Sequence, residues 1–279
     1  DSTSVSKQLG DLITLSKQSE NYEITTLVIN NVERKRSNIA LQISSYIKRR
    51  GLKKFIGNAF FKVVCKIEST VVKRIRKFNK FFSNTQLNKE DFVAIDAKPQ
   101  ISKSGLVYRY EKEDIKRIKE LDLDLLIRGG SAILRGEILD VCPNGVISFH
   151  HADNDINRGG PPGFWEVYEK IPRTGFIIQR LKNELDGGDV LYRGFISTRW
   201  FYSLNLATLY EVANPFFHHV IEDITSEIPK LKELKKRPYS YPLYTTPTIL
   251  QTLIYLLKTS CILGAKISRK LLGTSFRWG

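Results

Sequence analysis

The chain has 279 residues, 42% of them apolar and 11% aromatic, which excludes a disordered polymer and allows one full domain with a smaller appendage. Its three cysteines, Cys65, Cys142 and Cys261, lack CxxC spacing, which excludes a disulfide framework and suits a reduced, cytoplasmic chain. The net charge of +15 is concentrated: from Arg34 to Lys80 there are 15 Lys or Arg and one acid, Glu68, so this segment carries +14 and the rest of the chain almost none.

The opening DSTSVSKQLGDLITL reads as a turn running into a helix, and without a Met at its start the expectation is that a first strand precedes it. NYEITTLVIN (21–30) is β-rich. In the basic segment 34–82, Phe55, Ala59, Val63, Ile67, Val71, Ile75 and Phe78 step by three or four, which predicts one long helix or a helical hairpin protruding from the sheet. Phe60, Phe61, Phe81 and Phe82 are expected, with Phe55 and Phe78, to be partly buried against the domain, a lipid surface or a second chain. FVAIDAKP (92–99) predicts a strand, EKEDIKRIKELDLD (111–124) a charged amphipathic helix, LLIRGG (125–130) a buried strand, AILRGEILD a short helix and NGVISFHH (144–151) another strand. PGFWEVYEK should be helical, with Pro at its start. TGFIIQRL (174–181) and DVLYRGFI (189–196) read as strands and LNLATLYEVANPFFHHVIEDI (204–224) as a helix. Strands alternating with helices predict an α/β domain over 1–226 with a mostly parallel sheet flanked by helices. Residues 227–279 read as a basic helical appendage: a charged, Pro- and Tyr-rich connector, then an apolar helix that Lys258 and Lys266 make too short for a membrane span.

The stretch with the most chemistry is SFHHADNDINRGGPPGFWEVYEK (148–170). Residues two apart on a strand share a face, so Ser148 and His150 point one way, Phe149 and His151 the other. Ligands gather beyond the carboxyl ends of strands in open α/β sheets, and His150 stands at that position. Downstream, Asp186 opens a Gly-Gly turn in NELDGGDVL; a carboxylate beside an imidazole orients it and raises its pKa, which equips it to take a proton from an amine. A structural His150–Asp186 pair in a core is the bland alternative. A metal site is disfavoured, because adjacent strand histidines diverge and no Cys or His follows at ligand spacing.

His150, Arg158-Gly159, Pro162, Trp165, Thr174-Gly175, Asp186, Gly188 and Asp189 occur in the order of a known signature, with Asp186 36 positions after His150. By these residues 124–197 resembles the folate-dependent formyltransferase family, closest in character to sugar N-formyltransferases. The resemblance implies a Rossmann-like fold and formyl transfer from 10-formyltetrahydrofolate, without a metal, to a primary amine. By elimination among the family's acceptors, that amine is an amino sugar of a nucleotide- or lipid-linked glycan. It implies His150 as proton shuttle, Asp186 as its orienting partner and Ser148 as oxyanion donor. Folate would lie against Ile127, Arg128, Gly129, Gly130, Ile133, Leu134, Asn183, Leu185 and Asp189. His151, Asp153, Asn154, Arg158 and Trp165 would face the acceptor. One position departs from the family: Ser148 stands where its members carry asparagine, and losing an oxyanion donor costs roughly 3 to 4 kcal/mol of barrier. Ser148 therefore also fits an alternative, a decayed formyltransferase fold serving as a non-catalytic membrane- or partner-binding module. The basic segment suits an anionic membrane surface, which would hold the protein peripherally at its inner face, or a homodimer contact. Nucleic acid is disfavoured, since no RNA-binding module is present.

Overall fold

The computed structural model describes residues 4–32, 39–130, 132–153, 158–184, 188–234 and 243–271, with the backbone alone for Ile39, Gln42, Arg158 and 264–271. The short strand β1 (Ser4–Ser6) leads directly into α1 (Lys7–Ser16), whose first turn is capped where the Ser6 hydroxyl accepts from the Leu9 amide at 3.4 Å. Then come β2 (Thr26–Asn30), α2 (Ile39–Arg50), α3 (Leu52–Lys73), β3 (Asn84–Gln86) and β4 (Val93–Ala97). Strands β5 (Gln100–Ile101) and β6 (Val107–Arg109) precede α4 (Lys112–Lys119), β7 (Leu126–Ile127) and β8 (Ile133–Leu134). The second half runs β9 (Val146–His150), β10 (Arg158–Gly159), α5 (Phe164–Glu169), β11 (Arg173–Arg180), β12 (Asp189–Ser197), α6 (Tyr202–Thr225), β13 (Leu243–Tyr244) and α7 (Ile249–Leu271).

The α/β, Rossmann-like reading holds, and the sheet is mixed. Its largest part has the order β12-β11-β9-β7, parallel between β7 and β9 but antiparallel across β9–β11 and β11–β12. The reason for the last pairing is chain length: the loop 181–188 suffices for a hairpin and falls short of the dozen or more residues that a parallel crossover needs. Strands β2 and β4 pair in parallel as a separate ribbon.

Three predicted helices differ. The helix expected over 111–124 covers only Lys112–Lys119, because the chain turns at Asp122, which has φ 48. AILRGEILD is not helical: Ile133 and Leu134 pair with β6, and only one 3-10 turn, Glu137–Asp140, follows. In the basic segment Gly51, at φ 85, breaks the chain into α2 and α3, and α3 lies along α6 and α7 instead of protruding.

Phe61 and Phe164 meet edge to face at 5.0 Å, and Phe164 packs on Tyr202 and Tyr255, each such pair adding about 1 kcal/mol beyond its buried area. Tyr255 thereby places α7, from the segment read as an appendage, in the same apolar cluster as α3 and α5. Phe61 and Phe78 are buried, Phe55, Phe60 and Phe81 half-buried and Phe82 exposed, so the phenylalanines of the basic segment turn mostly toward the domain.

Candidate active site

Strand β9 lies between β7 and β11, with Ser148 opposite Gln179 and His150 opposite Ile177. Parallel pairing of Ile127 with Ile147 brings Arg128 alongside Ser148. The Arg128 guanidinium donates from Nη1 to Ser148 Oγ at 3.2 Å and from Nε to the Ala132 carbonyl at 2.9 Å. Ser148 is 1% exposed, so its hydroxyl is fixed inside the sheet by an arginine.

The alternation along β9 is visible in the rings. Phe149 and His151 share a face, with centroids 4.5 Å apart, and His151 also meets Tyr210 at 4.5 Å. Burial above all, then His150 and Arg128, pushes the His151 pKa down to about 3. Its Nε2 is buried without a hydrogen-bond partner among the described residues. His151, read as facing the acceptor, is a neutral imidazole packed between aromatic rings.

A cavity of about 740 Å³ separates β2 from β7. Its walls include Ile127, Arg128, Gly129, Gly130 and Leu134, five of the residues expected to hold folate. Ile133, Asn183 and Asp189 do not line it. The Asn183 carboxamide accepts from the Gly136 amide at 2.9 Å and ties two loops together. Asp189, buried, pairs with Lys182 at 2.6 Å. Asp153 is buried too and lies 3.7 Å from Arg193. It crosses β11 so closely at Gly175 that a Cβ there would meet the Asp153 Cβ at 2.4 Å, which accounts for glycine in the Thr174-Gly175 pair. Trp165 is a core residue: its ring stacks on Tyr244 at 4.8 Å and its Nε1 donates to the Gly160 carbonyl at 3.2 Å. Asn154, Leu185 and Asp186 lie outside the described residues, as does the side chain of Arg158. Among the described residues no three His, Cys, Asp or Glu side chains come together as a metal site.

Two arrangements were not foreseen. Arg128 was expected to lie against folate, and its side chain also reaches Ser148. Glu68 turns inward: its carboxylate accepts from the Tyr255 hydroxyl and, at 3.0 Å, from the Ser203 amide, and burial raises its pKa. The signal for Glu68 was its standing as the one acid in a basic run.

No family model matches the chain. Over 82 residues it is 30% identical to the methionyl-tRNA formyltransferase of Bacillus thuringiensis, which is 29% of this chain and 26% of that protein. The match therefore spans about a quarter of the length of the curated relatives. Among solved structures it resembles phosphoribosylglycinamide formyltransferase from Bacillus halodurans with a TM-score of 0.50 at 12% identity, covering 81% of this chain and 93% of that one. A sugar N-formyltransferase from a Shewanella species superimposes with a TM-score of 0.43 at 18% identity, over 61% of this chain and 68% of that one. The fold of this chain is that of the formyltransferase family.

Proposed function

We propose that the chain transfers a formyl group from 10-formyltetrahydrofolate to a primary amine, with residues 1–226 carrying the chemistry and 227–279 bracing it. The observation that carries this reading is the end of β9, the strand that holds Ser148 and His150: the Arg128 side chain reaches Ser148 from β7, and Arg128 also lines the cavity beside β7. That cavity suits a flat, polar ring: one wall is the strand backbone at Ile127 and Gly130, beside which there is open space, while Leu9 packs on Gly129. The bound donor supplies a formyl carbon open to attack by an amine. As the carbon–nitrogen bond to the amine forms, the formyl carbon's bond to the folate nitrogen would break; His150 would take the proton that the amine sheds and return it to the departing nitrogen, with Asp186 holding and charge-stabilising the imidazole. Ser148 donates toward the oxygen on which negative charge gathers, and Arg128 holds the serine in place.

The acceptor we favour is an amino sugar on a nucleotide or lipid carrier. The curated relatives are named for methionyl-tRNA, which makes that tRNA the rival acceptor. The test is formyl transfer from labelled donor to a panel of amino-sugar nucleotides, methionyl-tRNA and glycinamide ribonucleotide. Label in the sugar amide supports the reading, and label only in the tRNA replaces the acceptor. A second reading has its own support in Ser148, which is buried and occupied by Arg128: a non-catalytic module on this fold. Absence of transfer to every amine, with no rise in melting temperature on adding a reduced folate, would establish it.

A further inference from the structure

The outer face of α3 has the makeup of a surface that lies on a membrane. Leu52, Ile56, Val63, Ile67 and Val71, spaced by four or seven residues, are each 46% to 63% exposed, while Phe61, Val64 and Val72 on the opposite face are buried. Lys62, Lys66 and Lys73 are exposed along one flank of this aliphatic stripe. Alongside α3, α7 turns Leu250, Leu253 and Leu257 outward too, opposite its buried Tyr255. From 39 to 82 there are 12 Lys or Arg and one acid, and that acid, Glu68, is held inside by Tyr255 and Ser203. Only Lys77 and Lys80 of the twelve have acidic partners among the described residues, Glu211 at 3.0 Å and Asp11 at 3.9 Å. The face is thus apolar along its crest and positive along its flank.

We infer that α3, with α7 beside it, seats this chain on an anionic lipid bilayer, the aliphatic stripe entering the acyl boundary and the lysines reaching headgroup phosphates. Each half of the pattern excludes something. A second copy docked on this face would set one cluster of uncompensated cations against another, so charge opposes a symmetric pair. Nucleic acid would satisfy the charge but would leave the aliphatic crest in water, and no aromatic side chain stands on that crest to stack on bases. A spanning mode is excluded for the described helices, none of which is long and apolar enough to cross a membrane. A flat arrangement, with lysine stems lying over apolar surface and their heads at the phosphates, uses both halves.

The test is sedimentation of the full chain with vesicles of phosphatidylcholine alone or with about one third phosphatidylglycerol, at low and high salt. Neither folate nor an amine takes part, so its failure is separate from any failure of the formyl-transfer reading. Binding to the anionic vesicles alone is expected, weakening steeply with salt because screening acts within about 10 Å at 0.1 M. The Val63→Gln/Ile67→Gln variant, altered only at exposed positions, should bind about tenfold more weakly with its melting temperature kept. Lys62→Gln/Lys66→Gln/Lys73→Gln should lose about a hundredfold. Equal binding by wild type and the Val63/Ile67 variant overturns the inference, since charge alone would then suffice. So does absence of binding to anionic vesicles, whether the chain instead captures duplex RNA or forms a dimer that the Val63/Ile67 variant breaks.

Discussion

At the end of β9, Ser148 is enclosed, receives a hydrogen bond from Arg128 and has its strand pinned on both sides. Along the outside of α3, Val63 and Ile67 stand in water with Lys62 and Lys66 beside them, and nothing described covers them. Both regions break the ordinary rule of polar outside and apolar inside, in opposite directions. Enclosing polar groups costs free energy unless each finds a partner, so the β9 end is ordered in detail. Exposing apolar groups also costs, and no partner within the chain repays it. The Ser148 hydroxyl has its partner within the chain, whereas the α3 stripe has none among the described residues, which is why we infer a surface outside it.

The largest effect should come from the enclosed region. Replacing His150 with alanine should lower formyl transfer by about a thousandfold, as expected for loss of a proton-transfer group, with little change in melting temperature. Single-turnover transfer to the accepted amine measures it, and a loss below tenfold would remove His150 from the chemistry. Ser148→Ala should cost about a hundredfold and Ser148→Asn should keep or raise the rate. If the alanine variant matches wild type, the Arg128 guanidinium is itself the donor to the reacting oxygen. Next in size is the joint that holds α7 against α3 and α6. Tyr255 donates to the Glu68 carboxylate and accepts from the Tyr202 amide at 2.8 Å, linking α7 to α3 and α6. Tyr255→Phe removes both bonds and strands the buried Glu68, and should cost about 1 to 3 kcal/mol by urea unfolding.

Legibility differed between the regions for a physical reason. The strand that ends at His150 announces itself by a short apolar run, and the two-residue period of a strand separates Ser148 from His151 correctly. A hairpin was one of the two readings of the basic segment, but the place of its break, Gly51, was hidden because periodicity says nothing of a single φ. AILRGEILD misled because helical spacing over a few residues cannot outweigh pairing with β6, a strand itself only three residues long. The contact of Arg128 with Ser148 depends on the register of β7 against β9, which no local pattern encodes. Motif order supplied the functional reading of Asp186, a residue outside those described, so that part rests on resemblance alone.

The smallest effect is a slope, and it shows whether Glu68 belongs to the enclosed region or to the charged face on which its sequence position would set it. Burial raises its pKa, against which the hydrogen bonds from Tyr255 and Ser203 act. A carboxyl whose folded pKa is raised favours its protonated form in the folded state. Its contribution to stability is therefore full below the ordinary glutamate value and is lost as pH rises through the raised one. Glu68→Gln keeps the shape and removes the charge. Relative to that variant, wild type should lose stability as pH climbs from 4 toward 7, by about 1.4 kcal/mol for each unit by which the pKa is raised. Thermal unfolding of the two proteins across that range measures the difference. Parallel curves would mean that the carboxylate is as well solvated as a surface one, and the basic face would then contain an acid after all.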